Sequence, residues 1–281
     1  MILVTGATGT IGGEVARQLI AAGVRPRLLV RDPKKAREFE GKAERVQGDL
    51  AKPESLDAAF KGVEKLFLVS AGVDGRTLEK NAAAAAKRAG VKHIVKLSVI
   101  GADQPELVFS KWHAEMERAV RDSGAAWTFL RPGNFMSNAL FWVQSIKDQG
   151  AIYEPTGQGR YASIDPADIG AVAVKALTQK GHEGQAYTMT GPESLSVGQV
   201  AEKLSRALGK PVKHVDVPPE AAREAMLKAG MPAPYVEALL DLSAFLKAGK
   251  ADVVLPTVEQ LLGRKAGTFD DWAKRNAAAF R

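Results

Sequence analysis

The chain has 281 residues, 46% of them hydrophobic and 25% charged, a globular balance that excludes collagenous, disordered and membrane-embedded chains. It contains no cysteine, which excludes disulfides, thiolate nucleophiles and Cys-ligated zinc. The net charge of +7 raises nucleic-acid binding as a function. No basic tail or aromatic-interleaved basic stretch accompanies it, however, and attraction for an anionic cofactor accounts for the excess equally well.

In chain order, apolar runs at 1–5, 26–30, 45–47, 65–70, 93–98 and 126–130 read as strands. Segments 11–22, 33–40, 53–60, 75–89 and 110–123 between them carry helical spacing or strong helix formers. This alternation predicts a parallel sheet covered by helices on both faces. Asp32-Pro33 predicts an N-cap followed by proline in the first helical turn, and the alanines of 82–86 read as helix propensity. From about 134 the pattern loosens: 160–164 and 186–190 read as short strands, and 167–179, 196–208, 219–229, 234–247 and 269–279 as helices. The expected organisation is a dinucleotide-binding domain over 1–133. Residues 134–281 would form mostly a smaller substrate lobe, with some elements returning to the main sheet. Met1 runs straight into a motif with no leader-like segment, and the apolar run 66–73 is too short to span a bilayer; the expectation is a soluble, cytoplasmic chain without a membrane partner.

Thr5-Gly6-Ala7-Thr8-Gly9-Thr10-Ile11-Gly12-Gly13 follows the first strand and opens the first helix. Gly6, Gly9 and Gly12 fit a tight turn, a close backbone approach to a diphosphate and a close helix–strand contact, with the helix N-terminus facing the anion. The strand 26–30 ends at Arg31, and within 25–35 Arg25, Arg27, Arg31, Lys34 and Lys35 outnumber the single acid Asp32. An NAD site places an acid there for the ribose hydroxyls, whereas a 2′-phosphate calls for Arg. The residues therefore predict NADP(H), with Asp32 read as the N-cap. Asp49 either accepts from an adenine amino group, with Leu50 packing on the ring, or closes a turn. The four histidines at 93, 113, 182 and 214 lack metal-ligand spacing, and no G-x-S-x-G elbow supports a hydrolase.

The glycine loop, Val30-Arg31-Asp32-Pro33, Gly48-Asp49-Leu50, Leu130-Arg131-Pro132-Gly133-Asn134-Phe135, Ile164-Asp165-Pro166-Ala167-Asp168-Ile169 and Thr190-Gly191-Pro192-Glu193 together resemble the atypical short-chain dehydrogenase/reductases. The resemblance is to the NmrA-like branch, which includes NADPH-dependent quinone reductases, triphenylmethane reductases and NADP-sensing regulators. It implies a Rossmann-type doubly wound α/β fold with a smaller C-terminal substrate lobe. It also implies that Thr8, Gly9, Thr10 and Ile11 wrap the diphosphate, and Arg31 and Lys35 the 2′-phosphate. Asp49 and Leu50 would hold adenine, Val69, Ser70 and Ala71 would line the nicotinamide ribose, and Pro132, Asn134 and Phe135 would form the wall beside the nicotinamide.

The wider superfamily uses a Tyr-x-x-x-Lys pair on a helix and a Ser at the preceding strand end, the Lys lowering the phenol pKa so that it can act as an acid. Here Ser98 ends the strand and Lys111 matches the Lys, but Leu107 stands four residues before it. Lys111 either holds the cofactor ribose or pairs with Glu115 at i+4. Ser98 either bonds substrate or caps the strand, and His113 lies about 200° around the helix from Lys111. Without a phenol, hydride transfer to a quinone-like electrophile fits better than alcohol oxidation. A cofactor-binding sensor without turnover, or another reaction such as an epimerase or lyase, are the alternatives. Phe135, Met136, Phe141, Trp142, Tyr153, Met226, Met231, Tyr235 and Phe245 are either an aromatic-accepting pocket or core. The expected partner is a small molecule, with no metal and no nucleic acid; oligomeric state is not legible.

Overall fold

Strands buried on both faces read as unbroken apolar runs rather than alternating ones, and the first half of this chain is built from them. The computed structural model describes residues 1–70 and 72–281. It divides into two compact units: Met1–Pro132 with Pro166–Thr188, and Gly133–Asp165 with Met189–Arg281.

The first unit runs β1 (Ile2–Val4), α1 (Thr10–Ala21), β2 (Arg27–Val30), β3 (Glu44–Gln47), α2 (Leu56–Phe60), β4 (Lys65–Leu68), α3 (Gly75–Ala89), β5 (His93–Leu97), α4 (Val108–Asp122) and β6 (Ala126–Pro132). The chain then passes through α5 (Val143–Gln149), β7 (Ala151–Tyr153) and β8 (Arg160–Tyr161) of the second unit. It returns for α6 (Pro166–Thr178) and β9 (Gln185–Met189). The remainder is β10 (Leu195–Ser196), α7 (Val197–Leu208), β11 (Lys213–Val215), α8 (Pro219–Lys228), α9 (Ala233–Lys247), α10 (Thr257–Leu262) and α11 (Phe269–Asn276).

The seven-stranded sheet has the order β3-β2-β1-β4-β5-β6-β9, and the pairings from β3 through β6 are parallel. The chain builds outward from β1 to β3, then crosses back to start again at β4. The connections at the carboxyl ends of β1 and β4 therefore part in opposite directions, leaving the crevice in which open α/β sheets bind ligands.

One core cluster joins Leu3, Leu66, Leu68, Ile94 and Phe129 of the sheet to Leu56 and Phe60 of α2 and Ala82, Ala85 and Ala86 of α3. Each large apolar side chain buried in this way contributes roughly 1.5–3 kcal/mol. The alanine run is thus more than helix propensity: its small side chains are the face on which α3 packs onto the sheet. On the other face α6 lies close to α1. A Cβ at Gly170 would stand 2.8 Å from Glu14 Cγ, and Gln18 Nε2 donates to the Ala167 carbonyl at 2.9 Å.

The second unit gathers Met136, Ile146, Ile152, Val200, Leu204, Phe269, Trp272 and Phe280 into its own core. Two small sheets flank it, β7 with β11 in parallel and β8 with β10 antiparallel. The helix α7 starts in a capping box of Ser196 and Gln199.

Several elements depart from the sequence expectation. The helix expected over 33–40 is a pair of 3₁₀ turns, Pro33–Phe39, broken at Ala36, and 53–60 splits into a 3₁₀ turn, Pro53–Ser55, followed by α2. The strand expected over 160–164 is only Arg160–Tyr161. Strands of two or three residues, such as β7, β10 and β11, are shorter than any window in which alternation can be read. Among the described residues no helix is long and apolar enough to cross a membrane.

Candidate cofactor and active site

The turn between β1 and α1 is set by two glycines. Gly6 has φ +62 and sits against β4: a Cβ there would come within 2.7 Å of Val69 Cγ1. At Gly12 the helix crosses the loop so closely that a Cβ would lie 2.3 Å from the Gly6 carbonyl oxygen and 2.6 Å from that of Thr5. Thr5 ties the two strand ends together, its Oγ1 donating to the Val69 carbonyl at 2.9 Å and accepting from the Val69 N–H at 2.8 Å. The helix then opens at Gly9 with no side-chain cap and no acid in its first turn. Its leading N–H groups and the positive end of its dipole are left for an external anion. Thr8, Gly9 and Thr10 are exposed around this end, while Ile11 and Gly12 are buried beneath it.

Beside the loop, Thr8, Arg31, Asp32 and Lys35 line a cavity of about 310 Å³. Asp32 Oδ1 accepts from the Lys34 N–H at 2.9 Å, capping the turn at Pro33. The one acid among these cations is thus engaged locally, and Arg31 and Lys35 remain exposed. An uncapped helix start, a loop with no room for side chains and a cationic cavity together fit a dinucleotide carrying a further phosphate.

Asp49 closes a turn: Oδ1 accepts from the Ala51 N–H at 3.0 Å, and the Asp49 N–H donates to Ser55 Oγ at 2.9 Å. Leu50 joins the core cluster at 9% exposure. Val69 and Ser70 are half-buried beyond the end of β4, and Ala71 lies outside the described residues. Pro132 ends β6 in the first unit. Asn134 and Phe135 belong to the second unit, where Phe135 pairs in parallel with Ile164.

Leu107 immediately precedes α4, and Lys111 is exposed on that helix. Glu115 faces Arg76 at 3.5 Å rather than Lys111. Ser98 is buried and donates to Glu117 Oε1 at 2.6 Å. Glu117 in turn accepts from Arg131 through both oxygens, at 2.9 and 2.8 Å, and Arg131 also meets Asp103 at 3.1 Å. The guanidinium is held above its ordinary pKa chiefly by the hydrogen bonds to Glu117.

A second buried set lies one strand away. Ser70 Oγ donates to Glu79 Oε1 at 2.9 Å, and Glu79 Oε2 stands 3.1 Å from Lys96 Nζ. Lys96 also donates to the Leu97 carbonyl at 2.8 Å and reaches His113 Nδ1 at 3.3 Å. Burial pushes the Glu79 carboxyl up against the opposing pull of Lys96. Burial and then the Lys96 charge hold the His113 imidazole well below its usual value. Neutral His113 accepts from the ammonium at Nδ1, which leaves its proton on Nε2.

Glu79, Lys96 and Glu117 are the residues the sequence reading passed over, although each leaves a trace. Lys96 interrupts the apolar run His93–Leu97. Glu79 shares a helical face with Ala82, Ala83 and Ala86, and Glu117 with Ser110, His113 and Val120. An acid on an apolar stripe signals a buried partner.

The aromatic set divides between core and surface, with Trp142 packed against the core that holds Met136. Met136 is core, Phe141 is 80% exposed and Tyr153 43%, and Trp142 Nε1 donates to Glu154 at 2.8 Å. Among the described residues no group of three or more His, Asp or Glu is placed to hold a metal.

A family model described as NAD(P)H-binding matches residues 6–180. The chain is 45% identical to the NAD(P)H azoreductase of Xenophilus azovorans, over 100% of this chain and 99% of that one. It is 43% identical to the (4-alkanoyl-5-oxo-2,5-dihydrofuran-3-yl)methyl phosphate reductase of Streptomyces griseus, over 100% and 99%. Its structure resembles the NADPH-dependent quinone oxidoreductase of Escherichia coli complexed with NADPH, with a TM-score of 0.87 and 29% identity over 98% of this chain and 99% of that chain.

Proposed function

The chain belongs to the NAD(P)H-binding family, in its NmrA-like reductase branch, and from that premise we propose that it passes hydride from NADPH to an electron-poor small molecule of quinone or dye type. It is an NADP-dependent oxidoreductase. NADPH, when bound, supplies the hydride.

The chain's own residues do the rest. Gly6, Gly9 and Gly12 bring backbone to the diphosphate, with Thr8, Thr10 and Ile11 around it, and Arg31 and Lys35 take the 2′-phosphate. Asp49 and Leu50 hold adenine, Asp49 with the carboxylate oxygen its turn leaves over. Val69, Ser70, Ala71 and Lys111 meet the nicotinamide ribose, and Pro132, Asn134 and Phe135 wall the ring. The proposal extends to a cytoplasmic location. It assigns the net charge of +7 to the cofactor's anions rather than to nucleic acid.

The observation that carries the choice of acceptor is the loss of the phenol that the wider superfamily uses as its acid. Leu107 stands where a phenol is expected, and the Ser98 proton is given to Glu117 at 2.6 Å. A ketone needs its oxygen protonated as hydride arrives. A quinone, an azo bond or the acyl-substituted dihydrofuranone named for the Streptomyces relative accepts hydride readily and takes its proton from water. Orientation then supplies most of the acceleration.

The test follows loss of reduced-nicotinamide absorbance, with NADPH and NADH each offered to a panel of quinones, azo and cationic dyes, and simple ketones. The expected result is turnover with NADPH on the quinones and dyes and none on the ketones. Preference for NADH would overturn the roles of Arg31 and Lys35. Tight NADPH binding with no turnover on any acceptor would replace the reductase with a sensor.

A further inference from the structure

Glu79 and Lys96 are 1% and 0% exposed, and burying an ion pair carries a desolvation cost that a hydrophobic pair avoids. A pair kept in such a place invites the question of what it holds. Two of its neighbours, Ser70 and His113, are half-buried, and Ser70, just beyond β4, is the one beside the glycine loop. Its own neighbour Val69 packs on Gly6 of the cofactor loop. The Ser70 hydroxyl has one proton, and it points at Glu79 Oε1 over 2.9 Å, with the Gly75 carbonyl a distant second acceptor at 3.4 Å. Every acceptor around that proton is fixed. Lys96 donates to the Leu97 carbonyl and to His113 Nδ1, which holds its ammonium 3.1 Å from Glu79 Oε2 as an ion pair, although that oxygen accepts no hydrogen bond. Gly75 completes the setting, because a Cβ there would lie 3.1 Å from Ser70 Oγ.

Resting on the cofactor reading above, we propose that Glu79, locked by Lys96 and His113, is a positioning residue that makes Ser70 a hydrogen-bond acceptor only, and that Ser70 thereby grips a hydroxyl of the nicotinamide ribose. With its proton committed inward, the serine oxygen presents lone pairs outward. It receives a ribose O–H and gives nothing to a substrate oxygen. The same construction recurs on the next strand, where Ser98 donates to Glu117 and Glu117 is locked by Arg131. There the serine is 3% exposed. Two adjacent strand ends thus turn their hydroxyl protons away from the crevice, and only Ser70 lies where a ligand can reach it.

The test is a double-mutant cycle on NADPH affinity, read from the fluorescence of the bound reduced nicotinamide, with thermal melting of each variant alongside. Ser70→Ala should weaken NADPH about five- to tenfold, the loss of one hydrogen bond, and Ser70→Thr, which keeps the hydroxyl, should restore affinity. Glu79→Gln should weaken NADPH in the wild-type background. In the Ser70→Ala background it should change affinity by less than about twofold, because it acts through the serine. Losses that multiply in the double variant would reduce Glu79 to a structural role and overturn the inference. If Glu79→Gln does not fold, the serine pair still decides: equal affinities for Ser70→Ala and wild type overturn the inference. Failure of the wild-type protein to bind NADPH overturns the cofactor reading itself, a different outcome from either.

Discussion

Replacing Gly12 by Ala places a methyl group where the backbone of the cofactor loop already stands. The new Cβ would lie 2.3 Å from the Gly6 carbonyl oxygen, 2.5 Å from its carbon and 2.6 Å from the Thr5 oxygen. To reach even a tight 3.0 Å contact, the Gly6 carbonyl must retreat by about 0.7 Å, and close-packed backbone transmits such a shift rather than absorbing it. Overpacking of this kind costs roughly 1–3 kcal/mol, against which the helix preference of alanine offsets only about 0.5–1 kcal/mol. The larger effect falls on binding, because the shift moves the start of α1 and its uncapped N–H groups. Losing one charge-assisted hydrogen bond to the diphosphate costs about 1.5–3 kcal/mol, or roughly 10- to 100-fold in NADPH affinity. The assay is a fluorescence titration with NADPH beside a thermal melt. Gly198→Ala serves as the control: in α7 its Cβ meets nothing nearer than Ser196 Oγ at 3.6 Å, so it should leave affinity unchanged. Affinity within twofold of wild type in Gly12→Ala would refute the assignment of this loop to the diphosphate.

Arg31→Ser should lower the preference for NADPH over NADH about tenfold, the low end for a charge-assisted contact to phosphate because the side chain is exposed. The ratio of kcat/KM for the two cofactors measures it, and an unchanged ratio moves the 2′-phosphate elsewhere. His93 predicts acid lability. Its Nε2 meets Thr128 Oγ1 at 2.8 Å, its buried Nδ1 has no partner, and burial followed by the Lys65 charge lowers its pKa. Below the ordinary imidazole value of 6.5 the unfolded chain takes up a proton that the folded chain refuses. Stability is therefore complete above that pH and falls as pH drops through it, by up to about 1.4 kcal/mol per pH unit. Urea midpoints at several pH values should show a shallower decline in His93→Gln, and parallel curves would remove His93 from the account.

The parts of this protein legible in the sequence are those whose physics is local. A glycine loop between a strand and a helix is written in consecutive residues, because the turn, the close approach and the helix start all fall within one segment. Arg31 and Asp32 are likewise neighbours, and the N-cap role of Asp32 follows from Pro33 beside it. The alternation of apolar runs and helical segments fixes a covered parallel sheet, and the missing phenol is read directly from Leu107 and Lys111.

The rest depends on contacts between residues far apart in the chain, for which a single sequence carries no register. Nothing in Ser98 alone says that Glu117 takes its proton, and nothing in Lys96 says that Glu79 and His113 surround it. Phe141 and Met136 have the same apolar character, yet one is 80% exposed and the other 2%. The sequence by itself determined the sheet, the glycine loop between β1 and α1, NADP(H) as the cofactor and the loss of the usual phenol. Only the tertiary structure decided which hydroxyl protons face inward and which charges are buried. Burial and the direction of a hydrogen bond depend on what packs against a side chain, and that is settled only once the strands and helices have met.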